Sequence, residues 1–166
     1  MQLPTHRLIL REYKPDDLDN IFGILSDPKT MSYWPQPFTP SQVEAWIKRS
    51  LESYKMNGFG RYLIRLKETA EIVGDAGILK LNVADEWVND LGYIIHYPYW
   101  GKGYATEVAT ALKDYALTVL KLDSLHINMP ENHPASRRVA EKIGMKFIRE
   151  FNNEKNRNIK TLLYGI

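Results

Sequence analysis

Gly101 and Gly103 stand one residue apart in Tyr99-Trp100-Gly101-Lys102-Gly103-Tyr104, between a segment with strand alternation and one with helical spacing. Lacking Cβ atoms, they let the chain turn tightly and bring backbone N–H groups close to a ligand. A helix opening here leaves the N–H groups of Gly103, Tyr104, Ala105 and Thr106 without intrahelical partners, at the positive end of the helix dipole. Such a turn is an anion site suited to a phosphate or pyrophosphate. Lys102 adds a formal charge and Thr106 a hydroxyl. The same two glycines are also compatible with a plain tight turn. A P-loop is excluded, because it needs four residues between its glycines and a following Lys-Ser or Lys-Thr. A dinucleotide fingerprint fits worse than it first looks. Gly101-x-Gly103-x-x-Thr106 has Thr in place of the third glycine, Pro98 precedes the turn, and Asp123 begins the next strand where a ribose-binding acid sits at a strand's end.

A second group lies downstream. Asn132 and Ser136 stand at the head of a helix over Asn132 to Ile143. Both are preferred N-cap types. Arg137 and Arg138 follow, either on a solvated helix face or against an anion. His6, His96, His126 and His133 show no metal-ligand spacing, and the chain has no cysteine. No metal site is expected, and disulfides and a cysteine nucleophile are excluded.

The elements that must position these residues follow from periodicity. Thr5 to Tyr13 reads as a first strand. Leu18, Ile21, Phe22 and Leu25 mark a helix opened by Pro15-Asp16-Asp17 and closed by Pro28. Tyr33, Trp34, Pro35, Pro37 and Phe38 make a stiff aromatic loop that lines an acceptor site or covers the core. Thr39-Pro40-Ser41 starts a second helix with Val43, Trp46, Ile47 and Leu51 on one face. From Gly60 the period becomes two. Arg61 to Leu66, Glu71 to Leu81 and Trp87 to Tyr97 read as an antiparallel meander. A helix carrying Ala105, Val108, Ala109, Leu112, Tyr115, Ala116 and Val119 leads to a strand over Leu122 to Asn128, a crossover that makes its flanking strands parallel. Lys146 to Phe151 and Thr161 to Ile166 read as the last two strands. The expected fold is α+β: a mixed, largely antiparallel central sheet flanked by helices.

Residues 1–166 read as one domain, with no linker or repeat. The apolar share is 44%, the charged share 25% and the net charge only +2, with acids and bases interleaved. That argues against nucleic acid as a partner, since phosphate-backbone binding needs clustered positive charge. No apolar segment approaches a membrane span and Met1 to Arg7 has no signal core, so no membrane partner and a cytoplasmic location are expected.

Leu91-Gly92-Tyr93-Ile94-Ile95 followed by Tyr99-Trp100-Gly101-Lys102-Gly103-Tyr104-Ala105-Thr106-Glu107 resembles the acetyl-CoA motif of the GNAT family of N-acetyltransferases. The stretch Pro130 to Met145, the strand Arg7-Leu8-Ile9-Leu10-Arg11 and the Trp34-Pro35 loop resemble the branch that contains the ribosomal-protein N-terminal acetyltransferases. The resemblance implies transfer of an acetyl group from acetyl-CoA directly to a primary amine, with a protein N-terminal amine or a small molecule as acceptor. It implies that the pantetheine arm pairs with the backbone of Tyr93-Ile94-Ile95, a backbone N–H near Ile94 serving the thioester oxygen. The pyrophosphate lies over Gly101, Lys102, Gly103, Tyr104, Ala105 and Thr106. Asn132 holds the pantetheine amides, and Ser136 gives a hydrogen bond or proton to the thiolate. Two features depart from the pattern. Ala140 stands where many members carry a tyrosine proton donor, and three residues separate Asn132 from Ser136 where two are usual. The missing tyrosine leaves a non-catalytic acyl-CoA-binding or partner-binding domain as the alternative. Glu154, His96 and Asp90 are equal candidates for the base that deprotonates the amine.

Overall fold

The computed structural model describes residues 2–166. In chain order its elements are β1 (Gln2–Pro4), β2 (Leu8–Glu12), α1 (Leu18–Leu25), α2 (Pro40–Asn57), β3 (Arg61–Leu66), β4 (Ile72–Val83), β5 (Glu86–Ile95), α3 (Tyr104–Thr118), β6 (His126–Pro130), α4 (Pro134–Lys142), β7 (Lys146–Asn153) and β8 (Ile159–Gly165). The strands form one sheet in the order β1-β2-β3-β4-β5-β6-β8-β7. Every neighbouring pair is antiparallel except β5 and β6, the two strands joined by the α3 crossover. The fold is α+β, as the pattern of elements predicts.

Strand alternation sorts the core into two layers. Ile64, Leu91 and Ile95 face α3 and α4, where they meet Val108, Leu112, Val139 and Ile143. Leu63 and Ile94 face the opposite way, toward Ile21, Leu25, Val43 and Ile47 of α1 and α2. Thr39 and Gln42 close a reciprocal capping box at the head of α2, and Gly58 ends that helix at φ 76°.

The boundaries differ from the sequence reading where local chemistry intervenes. A short β1 precedes the first strand. Pro98 stops β5 at Ile95, and a 3-10 turn over Tyr97–Tyr99 follows. Lys121 adopts a left-handed conformation (φ 54°) that reverses the chain after α3, so β6 begins at His126 rather than Leu122. Helix α4 begins at Pro134, with His133 as N-cap. Asn132 is therefore outside the helix and is not its cap. The inserted residue before Pro134 moves the helix start, since proline fits the first helical position.

Candidate active site

The parallel pair opens almost as soon as it forms. Strand β4 pairs with β5 from Val83↔Glu86 to Gly74↔Ile95, whereas β5 pairs with β6 at the single position Asp90↔His126. Beyond that point no strand of the described residues lies against the second edge of β5. The His96 N–H donates to the Val73 carbonyl at 2.9 Å. Alternation along an antiparallel ladder then turns the amides of Ile94 and Gly92 toward β4, and those of Tyr93 and Ile95 toward the open edge. The outward-facing amides near Ile94 are therefore those of its neighbours, not its own. The Ile95 carbonyl already accepts from the Trp100 indole N–H at 2.7 Å. An extended, amide-bearing ligand has room to pair with this edge as an added strand.

The glycine turn sits at the end of that edge. Gly101 (φ 76°) and Gly103 (φ 80°) both require the left-handed region, and Gly103 is the N-cap of α3, with no side chain filling the cap. The backbone of residues 101–103 is exposed. The first-turn amides of Tyr104, Ala105 and Thr106 point out of the helix start toward solvent. Sequence reasoning missed what braces the turn. Glu107 accepts from the Arg7 amide at 2.6 Å, the Arg7 Nε at 2.7 Å and the Thr5 hydroxyl at 2.5 Å. Arg7 also donates to the Lys102 carbonyl at 2.9 Å and lies over the Tyr104 ring at 4.6 Å. These bonds hold the Glu107 carboxylate below its ordinary range against the opposing pull of burial. The turn between β1 and β2 thereby fixes the glycine turn from about a hundred residues away.

Ser136 is buried in the first turn of α4, and its hydroxyl lies 2.9 Å from the Tyr93 hydroxyl. Tyr93 projects from the open part of β5, so the pair stands beside the edge where the two strands part. Its polar tip on the apolar-facing side of a strand was the available signal for a side-chain role. Burial pushes the Tyr93 phenol up to about 12, so it remains a proton carrier through the neutral range. Ala140 is fully buried among α3 and α4 residues. The phenol near Ser136 comes instead from β5. His133 accepts from the Ser136 N–H at 3.4 Å, and burial pushes its imidazole down to about 4, which keeps the ring neutral. Asn132 is exposed on the turn before the helix. Arg137 is exposed and pairs with Glu141 at 2.9 Å, and Arg138 is exposed beside it.

The three candidate bases separate clearly. Glu154 is exposed in the β7–β8 turn. His96 lies past the end of β5 with its ring against Tyr97 and Tyr99. Asp90 is 9% exposed and sits where β5 and β6 part. Burial pushes its carboxyl up to about 7, against the opposing pull of the Asn128 hydrogen bond at 2.7 Å and the Arg61 charge. Arg61 itself is buried and paired with Asp75, which also accepts from the Tyr13 hydroxyl at 2.5 Å and the Trp46 indole at 3.2 Å. A Cβ on Gly92 would stand 2.4 Å from the Arg61 Nη1, so glycine there makes room for the guanidinium.

The aromatic loop divides in two. Trp34 packs edge-on against Phe38 at 5.6 Å and Trp46 at 5.7 Å, covering the α1/α2 layer. Tyr33 instead lies flat on His133. Among the described residues no group of His, Cys, Asp and Glu could hold a metal ion, and no helix is long and apolar enough to cross a membrane.

A mixed sheet whose one parallel pair among the described residues opens beside a glycine-capped helix start defines a domain of the N-acetyltransferase class. The chain belongs to the acetyltransferase (GNAT) domain family, whose model matches residues 7–146. It is 32% identical to the uncharacterized protein YkkB of Bacillus subtilis (strain 168), over 91% of this chain and 90% of that protein. An acetyltransferase from Agrobacterium tumefaciens str. C58 superimposes with a TM-score of 0.84 at 26% identity, covering 100% of this chain and 94% of its own. The spermidine N-acetyltransferase of Vibrio cholerae, solved with CoA and spermine, shares the fold with a TM-score of 0.77 at 20% identity, over 96% and 95% of the two chains.

Proposed function

We propose that this protein transfers an acetyl group from acetyl-CoA to a primary amine, a protein N-terminal amine being one such acceptor. The observation that carries the reading is the unpaired β5 edge ending in the exposed amides of the glycine turn. The residues present fit the donor. Tyr93 and Ile95 offer backbone amides to a pantetheine arm, with Ile94 between them facing β4. Gly101, Lys102, Gly103, Tyr104, Ala105 and Thr106 offer N–H groups and one charge to a pyrophosphate. Asn132, exposed beside the opening, is free to reach the arm's amides.

The donor, when bound, supplies an activated acetyl thioester; the remaining chemistry is proton management. As the new C–N bond forms and the C–S bond breaks, one proton must leave the amine and one must reach the departing sulfur. Asp90 takes the first through water, since it is the candidate that stands in β5 where β5 and β6 part, and burial raises its affinity for protons to about 7. Ser136 supplies the second and is recharged through the Tyr93 hydroxyl. An outward amide of β5 donates to the thioester oxygen, where negative charge grows. The chain has no cysteine, which excludes an acyl-cysteine intermediate, and transfer is direct in this reading.

The test is release of free CoA thiol from acetyl-CoA across a panel of N-terminal peptides, polyamines, amino acids and aminoglycosides. At least one acceptor should give turnover with intersecting, sequential initial-rate lines. Tight CoA binding with no turnover on any amine would leave only a binding domain and overturn the proposal.

A further inference from the structure

The loop between α1 and α2 is tied down on both sides of the opening between β5 and β6. On the β5 side, the Thr30 hydroxyl accepts from the Tyr97 N–H at 3.1 Å, and the Thr30 N–H is held by Asp27 at 2.6 Å. On the β6 side, the Tyr33 ring stacks on the His133 ring, with centroids 3.6 Å apart and planes 7° from parallel. The Tyr33 carbonyl accepts from Asn156 Nδ2 at 3.0 Å, which brings the β7–β8 turn to the same point. Helices α1 and α2 pack on one face of the sheet and α4 on the other. The ring stack is therefore a contact across the opening rather than packing within a layer.

His133 has a second role in the same place. Its Nδ1 accepts from the Ser136 N–H, so the neutral ring carries its proton on Nε2. One face of the imidazole meets the acceptor-side loop, and one edge sets the turn that presents Ser136 to Tyr93. We propose that Tyr33 and His133 form a positioning couple, in which the stack holds the acceptor loop over the opening while the His133 cap aims Ser136. The couple rests on the role given to Ser136 above. It links acceptor placement to proton delivery through one ring, and it assigns Tyr33, but not Trp34, to the acceptor wall.

The two functions of the ring can be separated by substitution. His133→Asn keeps a side-chain acceptor for the Ser136 amide and removes the stacking face. His133→Phe keeps the face and removes the acceptor. Steady-state kinetics in both substrates, CoA affinity by calorimetry and a thermal melt are measured on each variant. His133→Asn should raise the acceptor KM by about three- to tenfold with kcat nearly retained, the size of a lost aromatic pair. His133→Phe should lower kcat by a similar factor of about three- to tenfold with the acceptor KM nearly retained. Tyr33→Ala should raise the acceptor KM, and Tyr33→Phe should restore most of that loss. If both His133 variants change kcat and KM together, or change neither, the couple is refuted whatever their melting temperatures. A wild-type protein that turns over no amine overturns the function reading and the couple together. Turnover by the wild type without the split overturns the couple alone.

Discussion

Replacing Asp90 by Asn tests the assignment of the base and the physics behind it in one protein. Asn keeps the shape and can still accept from Asn128 Nδ2, so the substitution removes the ionisable group with little else. The carboxyl is displaced from its ordinary 3.8 to about 7, chiefly because burial disfavours its charged form. A shift of that size corresponds to a penalty of about 4 kcal/mol on the charged form, as a ceiling. The sign follows from proton counting. Between these two values the folded protein keeps a proton that the unfolded chain has lost, so stability falls as pH rises from about 4 to about 7. Asp90→Asn escapes this loss. Its melting temperature should match that of the wild type near pH 4 and exceed it by up to roughly 10 °C at pH 8. Activity should move the other way. Wild-type kcat/KM should rise with pH through about 7 as Asp90 ionises, whereas the variant should lose this limb and fall by about 10²–10⁴-fold. A variant that keeps the limb and the rate would remove Asp90 from the chemistry. A melting difference that does not grow between pH 4 and pH 8 would show that the group is not held neutral by burial.

Three further substitutions probe the donor side and the loop. Gly103→Asp places a side chain at φ 80° and a negative charge at the helix start. By calorimetry on folded protein it should weaken CoA binding by more than about tenfold, and Gly103→Ala by much less, since alanine brings only the backbone strain of about 1–2 kcal/mol. Ser136→Ala should lower kcat by at least about tenfold while changing CoA affinity far less, because the lost interaction serves the transition state; a normal kcat would return Ser136 to a packing role. Trp34→Ala should lower stability by about 3 kcal/mol in a denaturant melt with little change in acceptor KM, because its ring contacts are to Phe38 and Trp46; the opposite result would move Trp34 to the acceptor wall.

What the sequence made legible was local. Strand and helix periods, the helix start at Thr39-Pro40-Ser41 and the glycine turn at 101–103 each depend on residues within a few positions of one another. The meander and the one crossover made the mixed character of the sheet legible, whereas its strand order came only with the structure. Three things stayed hidden because they depend on distant residues meeting. Glu107 bracing Arg7 and Thr5 is a contact across about a hundred positions, and nothing near Glu107 signals it. Asp90, His96 and Glu154 are equivalent as letters; burial at the parting of two strands separates them. The α4 start moved because Pro134 outcompeted Asn132 for the helix head, a choice between two sound local signals that the sequence leaves tied.

The two halves of the site differ in how the chain builds them, and this bears on what each half can vary. The donor side arises from one event, the exit of the chain from β5. Pro98 ends the strand, the Trp100 indole takes the carbonyl of Ile95, and two glycines swing the chain into α3. Edge amides and helix-start amides are then aligned by the same short segment, so a change to one disturbs the other. The acceptor side has no such unity. In the proposed site it is assembled from the loop after α1, from Asp90 in mid-strand, from His133 before α4 and from Asn156 between β7 and β8. Each of these segments can change without moving the glycine turn. A scaffold built this way keeps one donor while its acceptor follows loop chemistry. Tyr33 and His133 are the point where the two halves touch, because one ring pair joins the acceptor loop to the helix that carries Ser136.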